Sequence, residues 1–351
     1  MSSTLRHDDP VASENGHPRG IARTQGLTGF RILGTGSYVP ENVITNDELC
    51  QRMGFEGSWI VPRTGIRERR HVPENFATSD LCAEAAIRCI DAAGVDKNDI
   101  DLVVVGTFTP DMSFPSTACQ VQDRLGLHCG AFDVQSACAG FIYALVVGSQ
   151  FVKSGNAKLC LVIGGDTNSR IINPCDQKTY PLFGDGAGAV LLTPGSEEQG
   201  LVAYQLGSDG SGAELLSRPA GGSRLPLTPE ALDANLHYLQ MDGRSVFHWA
   251  VNTVTDSATE VMRHAGVTAD DIRWFIPHQA NIRIINAVGD VLGFPREKVV
   301  QNIDRYGNTS GGSIPIALDE TNSSNKIQKG DLILFAGFGA GLTWGSGILR
   351  W

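Results

Sequence analysis

Apolar and polar positions along this chain fall into blocks of two kinds. Short apolar runs at residues 30–33, 102–107, 131–134, 158–164, 272–276, 332–337 and 342–349 predict buried strands. Between them, helical periodicity predicts helices over 79–93, opening on Ser79 and Asp80, and over 246–264. Residues 139–147 are apolar nearly all round, which predicts a central helix buried on every side. Strands and helices alternating in this way predict an α/β protein whose mixed, largely parallel sheets are covered by helices. Residues 1–28 are polar, aperiodic and contain Gly, Pro and His, so they read as a disordered tail.

One stretch occurs twice. Ala93-Gly94-Val95-Asp96-Lys97-Asn98-Asp99-Ile100 returns 172 residues later as Ala265-Gly266-Val267-Thr268-Ala269-Asp270-Asp271-Ile272, and each copy leads into a predicted strand. At the same offset Cys138 falls on Ser310, and both then precede an apolar helix. The period is too long for a solenoid and predicts two similar halves packed face to face, residues 29–200 and 201–351. The active centre is expected where the helix N-termini of the halves converge.

The chain has 351 residues, 42 % of them hydrophobic, enough to bury a large core. A net charge of −10 argues against nucleic acid as a main partner, since phosphate binding needs a basic surface. No apolar run approaches the ~20 residues of a membrane span. The first residues lack the apolar stretch of a secretory signal, and Asp8 and Asp9 suit a transit peptide poorly, so a cytoplasmic location is expected. The eight cysteines show no CxxC or other metal-ligand spacing, and seven of them read as small buried hydrophobes.

Cys138 is the exception. It stands where the strand at 131–134 turns into the helix at 139–147, and a helix N-terminus supplies partial positive charge that stabilises a thiolate. His278 follows a strand ending in Pro277, so it should project from a strand terminus. Cysteine, histidine and asparagine in this order also occur in papain-like peptidases, but Cys138 lies mid-chain in SACAG rather than in CGSCW near a mature N-terminus. An inactive partner subunit would be expected to have lost the nucleophile. Gly34-Thr35-Gly36 has no third glycine, and the glycine-rich 337–341 has no following helix pattern, so both are weak as dinucleotide loops.

From Phe30 to Trp351 the chain resembles the thiolase superfamily and, within it, the β-ketoacyl-[acyl carrier protein] synthase III family. The likeness is carried by AFDVQSACAG around Cys138, FIPHQAN around His278 and RYGNTSGGSIP around Asn308. It extends to GSYVPENVITNDEL (36–49), WIVPRTGIRERR (59–70), FPSTACQVQDRLG (114–126), FGDGAGAVLL (183–192) and GFGAGLTWGSGILRW (337–351). The resemblance implies a thiolase-like fold, two duplicated α/β halves in α-β-α-β-α layers, and a homodimer. It implies a decarboxylative Claisen condensation that starts fatty-acid chains. Cys138 takes the acyl group of acetyl-CoA or a similar acyl-CoA, and malonyl-[acyl carrier protein] then gives the 3-oxoacyl-[acyl carrier protein].

By the same resemblance, His278 and Asn308 hold the malonyl thioester carbonyl, and the backbone N–H groups of Cys138 and Ala340 form an oxyanion hole. Trp59 and Arg63 match positions lining the CoA adenine site. Phe114 matches a residue that floors the partner subunit's acyl pocket, which Phe108 and Phe183 also shape. Arg283 matches an arginine that meets the acyl carrier protein. No metal or redox cofactor is implied. The chain departs from relatives at His248, where a docking lysine is common, at Asp290-Val291, which replace a basic pair, and at Gln177, which replaces an arginine that sandwiches adenine. These departures keep a second reading open, a synthase III-like enzyme of secondary metabolism with another starter or acceptor. Thiolases need a second catalytic cysteine and chain-elongating synthases a second histidine, where this chain has Asn308.

Overall fold

The two copies of the repeated segment end a helix in the same way. Gly94 (φ 66°) closes the helix Thr78–Ala93 and Gly266 (φ 68°) closes Gly243–Ala265, both in the left-handed conformation that glycine adopts without strain. Each cap turns the chain into a strand, Leu102–Gly106 and Trp274–Pro277. The computed structural model describes residues 23–351.

The described residues contain two five-stranded sheets. The first runs in the order Phe30–Tyr38, Gly186–Pro194, Cys160–Asp166, Leu102–Gly106, Gly130–Val134. The second runs Gln25–Thr28, Gly200–Ser208, Thr343–Arg350, Leu332–Gly339, Trp274–Pro277. Both are mixed, but the largely parallel pairing expected from the sequence is not found. Only Leu102–Gly106 with each of its neighbours, and Trp274–Pro277 with Leu332–Gly339, pair in parallel. The remaining pairs are antiparallel; Gly186–Pro194 and Thr343–Arg350 each follow the strand they pair with without an intervening α-helix.

The expected tail is also shorter than read. Its first 22 residues lie outside the described residues, but Gln25–Thr28 is an edge strand on Gly200–Ser208 and buries Leu27. Four residues with one buried side chain give no periodicity to read.

The helices Gly140–Lys153 and Ser313–Ser323 lie between the sheets. Phe141 and Leu145 from the first, and Ile314 and Leu318 from the second, pack in one cluster with Val104 and Val162 of one sheet and Ile333 and Phe335 of the other. Each fully buried side chain of this size stabilises the fold by ~1.5–3 kcal/mol. Thr78–Ala93 and Thr117–Leu125 cover the outer face of the first sheet. Gly243–Ala265 and Ile282–Val291 cover that of the second, completing the thiolase-like α-β-α-β-α stack.

Before each central helix the chain makes a tight elbow. Ala137 (φ 46°) opens the turn Ala137–Ala139, and Ser310 (φ 51°) opens Ser310–Gly312. The matching positions therefore lie 173 residues apart, one more than the offset of the repeated segment. Cys138 corresponds to Gly311, not to Ser310 as the constant offset suggested. The two halves touch beneath this elbow, where a Cβ on Gly164 would overlap the carbonyl oxygen of Gly311. Gly164→Ala is expected to cost about 1–3 kcal/mol, because backbone rather than a side-chain tip must move. Urea unfolding checks this: the midpoint should fall at unchanged slope, and an unshifted midpoint would mean that the halves part easily here.

Candidate active site

Cys138 is 7 % exposed and sits in the turn that feeds the helix Gly140–Lys153. Its amide is closely approached by Gly339, where a Cβ would come within 2.7 Å of the Cys138 nitrogen. Thr343 Oγ1 donates to the carbonyls of Ser136 and Ala340, 3.0 Å from each, which ties the turn after Gly339 to the elbow. Burial pushes the Cys138 thiol up to about 12; a hydrogen bond with the Ser310 side chain opposes this, and the charge of Asp166 adds to it. The resting group is thus a protonated thiol.

His278 leaves the C-terminal end of Trp274–Pro277, and its backbone N–H donates to Ala336 at 2.8 Å. The ring is 3 % exposed and lies edge-on to Phe338, with ring centroids 5.4 Å apart. Burial lowers its pKa to about 3, so the imidazole is neutral. Asn308 is held at both backbone groups, donating to Leu182 (2.8 Å) and accepting from Gly184 (3.0 Å). Its Oδ1 accepts from the N–H of Ser310 at 2.8 Å, which assigns the amide orientation and leaves Nδ2, with its two protons, unpaired among the described residues.

Cys138, His278 and Asn308 all line one cavity of about 690 Å³, so the elements that the sequence assigned to different halves do meet. Phe108, Phe183 and Ala340 form part of its wall, and Trp59 and Arg63 stand on the same lining, with the Arg63 guanidinium 6.0 Å from the Trp59 ring centre. Arg244 and Lys178 line it too, and sequence reasoning singled out neither. A second cavity, of about 350 Å³, shares Phe108, Ala137, Leu216, Leu239 and Ala340 with the first. Phe108 is the largest of the side chains that line both spaces.

Beneath the elbow lies Asp166, which sequence reasoning also missed. It is fully buried, and its carboxylate accepts from the Thr107 hydroxyl (2.8 Å), the N–H (3.2 Å) and hydroxyl (2.8 Å) of Thr109, the Phe108 N–H (3.0 Å) and the Gly311 N–H (2.9 Å). Burial raises its pKa to about 6, and these donors keep it from rising further. A single aspartate ending an apolar strand carries no sequence signal that separates it from a capping residue.

Family models of 3-oxoacyl-[acyl-carrier-protein] synthase III match residues 132–210, and of its C-terminal part residues 262–351. A β-ketoacyl-[acyl-carrier-protein] synthase III of Rhodopirellula baltica is 52 % identical over 343 residues, covering 93 % of this chain and 99 % of its own. The chain belongs to the β-ketoacyl-[acyl carrier protein] synthase III family. The crystal structure of the 3-oxoacyl-[acyl-carrier-protein] synthase III from Aquifex aeolicus superposes with a TM-score of 0.85 at 42 % identity, covering 92 % of this chain and all of that one. A priming β-ketosynthase of a polyketide pathway superposes with a TM-score of 0.84 at 36 % identity, covering 93 % and 98 %.

The other positions that the synthase III resemblance pointed to lie outside the cavity. Phe114 is 84 % exposed and does not line the cavity of its own chain. Arg283 is exposed, with its guanidinium 5.6 Å from the centre of the Phe247 ring, and Phe247 lines the cavity. His248 is exposed beside Phe247, Asp290 pairs with Arg296 at 2.8 Å, and Gln177 is exposed between two cavity-lining residues, Asp176 and Lys178. No group of three or more His, Cys, Asp or Glu that could hold a metal ion occurs among the described residues. Alkylation of Cys138 by iodoacetamide should accelerate about tenfold per pH unit across the neutral and alkaline range, as expected for a thiol titrating far above neutrality. Peptide mass mapping separates it from the exposed Cys119 and Cys175; a plateau below neutral pH would show a preformed thiolate.

Proposed function

We infer that Cys138, His278 and Asn308 divide the reaction of the synthase III family between them. As a member of that family the chain is an acyltransferase, joining an acyl-CoA starter to malonyl-[acyl carrier protein] to initiate fatty-acid synthesis. The observation that carries the division of labour is the single cavity, with one thiol and two neutral side chains facing it. The Cys138 sulfur attacks the acyl-CoA thioester, the carbon–sulfur bond to CoA breaks, and the thiol proton leaves with the CoA sulfur. Backbone N–H groups of Cys138 and Ala340 stabilise the oxyanion formed on the way. The malonyl group then enters and loses CO2, leaving its electron pair as an enolate held by donors from His278 and Asn308. The enolate carbon attacks the acyl carbon, and Cys138 departs as thiolate and takes a proton from solvent.

The neutrality of both donors matters. An imidazolium would hold the malonyl carboxylate and disfavour its loss, whereas a neutral N–H gains strength as the enolate charge develops. At the cavity mouth Arg63, Lys178 and Arg244 supply cations suited to the phosphates of CoA. Arg283, exposed beside Phe247, suits an acidic carrier protein. We assign a homodimer built on the face bearing Phe114 and Met112 (48 % exposed), next to the open edge of Gly130–Val134. Eight free cysteines suit a reducing cytoplasm, and no helix among the described residues is long and apolar enough to cross a membrane. The reading as an enzyme of secondary metabolism is not favoured, since the synthase III relatives reach 52 % identity and the polyketide-priming neighbour 36 %.

Intact-protein mass after exposure to acyl-CoAs tests the covalent step: acetyl-CoA should add one acetyl group, and Cys138→Ala should add none. His278→Ala should still be acylated while its condensation rate falls by roughly 10²–10³, the usual cost of one oxyanion donor. Equal loss of both half-reactions in folded protein would count against the division. Phe108→Ala should join the two cavities and extend labelling to longer acyl groups; an unchanged chain-length profile would show that Phe108 is no partition. Sedimentation should give twice the 37.5 kDa chain mass, and Phe114→Asp should shift it toward the monomer.

A further inference from the structure

The His278 ring makes a single hydrogen bond among the described residues: Nδ1 lies 2.7 Å from Oγ of Ser313. Ser313 is 1 % exposed and is the first residue of the helix Ser313–Ser323, with its own N–H given to the carbonyl of Ser310. Its hydroxyl carries a proton that needs an acceptor, and Nδ1 is the one acceptor it meets among the described residues. The opposite assignment, with Nδ1–H donating to Oγ, would leave the hydroxyl proton buried and unpaired.

We propose that Ser313 is a positioning residue that fixes His278 in its Nε2–H tautomer by donating its hydroxyl proton to Nδ1. A neutral imidazole has one N–H, and the nitrogen that carries it decides whether the ring can donate into the cavity it lines. With Nδ1 occupied as acceptor, the proton resides on Nε2. The positive end of the helix Ser313–Ser323 further disfavours a second proton on Nδ1. The matching place in the first half, at the elbow offset of 173 residues, is Gly140, the first residue of its helix. The hydroxyl is thus a feature of the second half alone, on the side where His278 stands.

The functional consequence rests on the reading of His278 as an enolate donor, and the test separates the two. In protein labelled with 15N-histidine, long-range proton–nitrogen correlations report the tautomer of His278, assigned by its loss in His278→Ala. The wild type should show Nε2–H throughout the stable pH range. Ser313→Ala should admit the second tautomer and slow decarboxylation of malonyl-[acyl carrier protein] roughly 10–100-fold, the scale on which orienting partners of histidines act. Acyl transfer to Cys138 should be spared, and Ser313→Thr, which keeps the hydroxyl, should restore the loss. An Nδ1–H tautomer in the wild type would overturn the proposal, and it can be read even if Ser313→Ala fails to fold. So would a folded Ser313→Ala with unchanged tautomer and rate. A shifted tautomer with undiminished decarboxylation would instead overturn the donor reading of His278 and leave the tautomer assignment standing.

Discussion

The carboxylate of Asp166 is the point on which the two halves agree. One oxygen gathers donors from residues 107 to 109 and the other takes the N–H of Gly311, so a buried charge joins a wall of the cavity in the first half to the elbow of the second. A carboxylate buried without such donors would carry a desolvation cost of several kcal/mol and would neutralise instead. The donors are backbone amides and threonine hydroxyls, which hold direction but bring no ionic countercharge. The charge of Asp166 reaches Cys138 and adds to what burial does to its thiol.

The duplicated elbows share a backbone conformation and differ in use. In the first, the residue after the strained position is Cys138. In the second it is Gly311, whose N–H is committed to Asp166, while the N–H of Ser310 turns back to hold the Asn308 side chain. One copy presents a thiol, and the other orients the Asn308 amide on the wall of the same cavity. The asymmetry arises from side chains alone, on a frame whose central helices and sheets correspond.

The long apolar runs made most of this legible. The strands at 102, 160 and 332 and the helices after Thr78 and Gly243 stand close to where periodicity put them, and the repeat exposed the duplication because both copies need a glycine at the same left-handed cap. The strands Gly186–Pro194 and Gly200–Ser208 were not read, since small residues and glycines blur the pattern, and the pairing direction followed from connections rather than from composition. Within the site, Cys138, His278 and Asn308 were recognisable because each lies in a characteristic segment. Asp166 and Ser313 were not, because their significance comes from contacts across 145 and 35 positions of chain, which no local pattern records.

The protonated, buried state of Cys138 also bears on how the protein meets oxidants. Peroxides and disulfides react with thiolates, and they reach first whatever sulfur is exposed. Cys119 and Cys175 lie at the surface, whereas Cys138 is buried and its thiol is pushed up by that burial. Burial thereby keeps the thiolate share of this sulfur low at neutral pH, so chance oxidation is expected to fall first on the two surface cysteines.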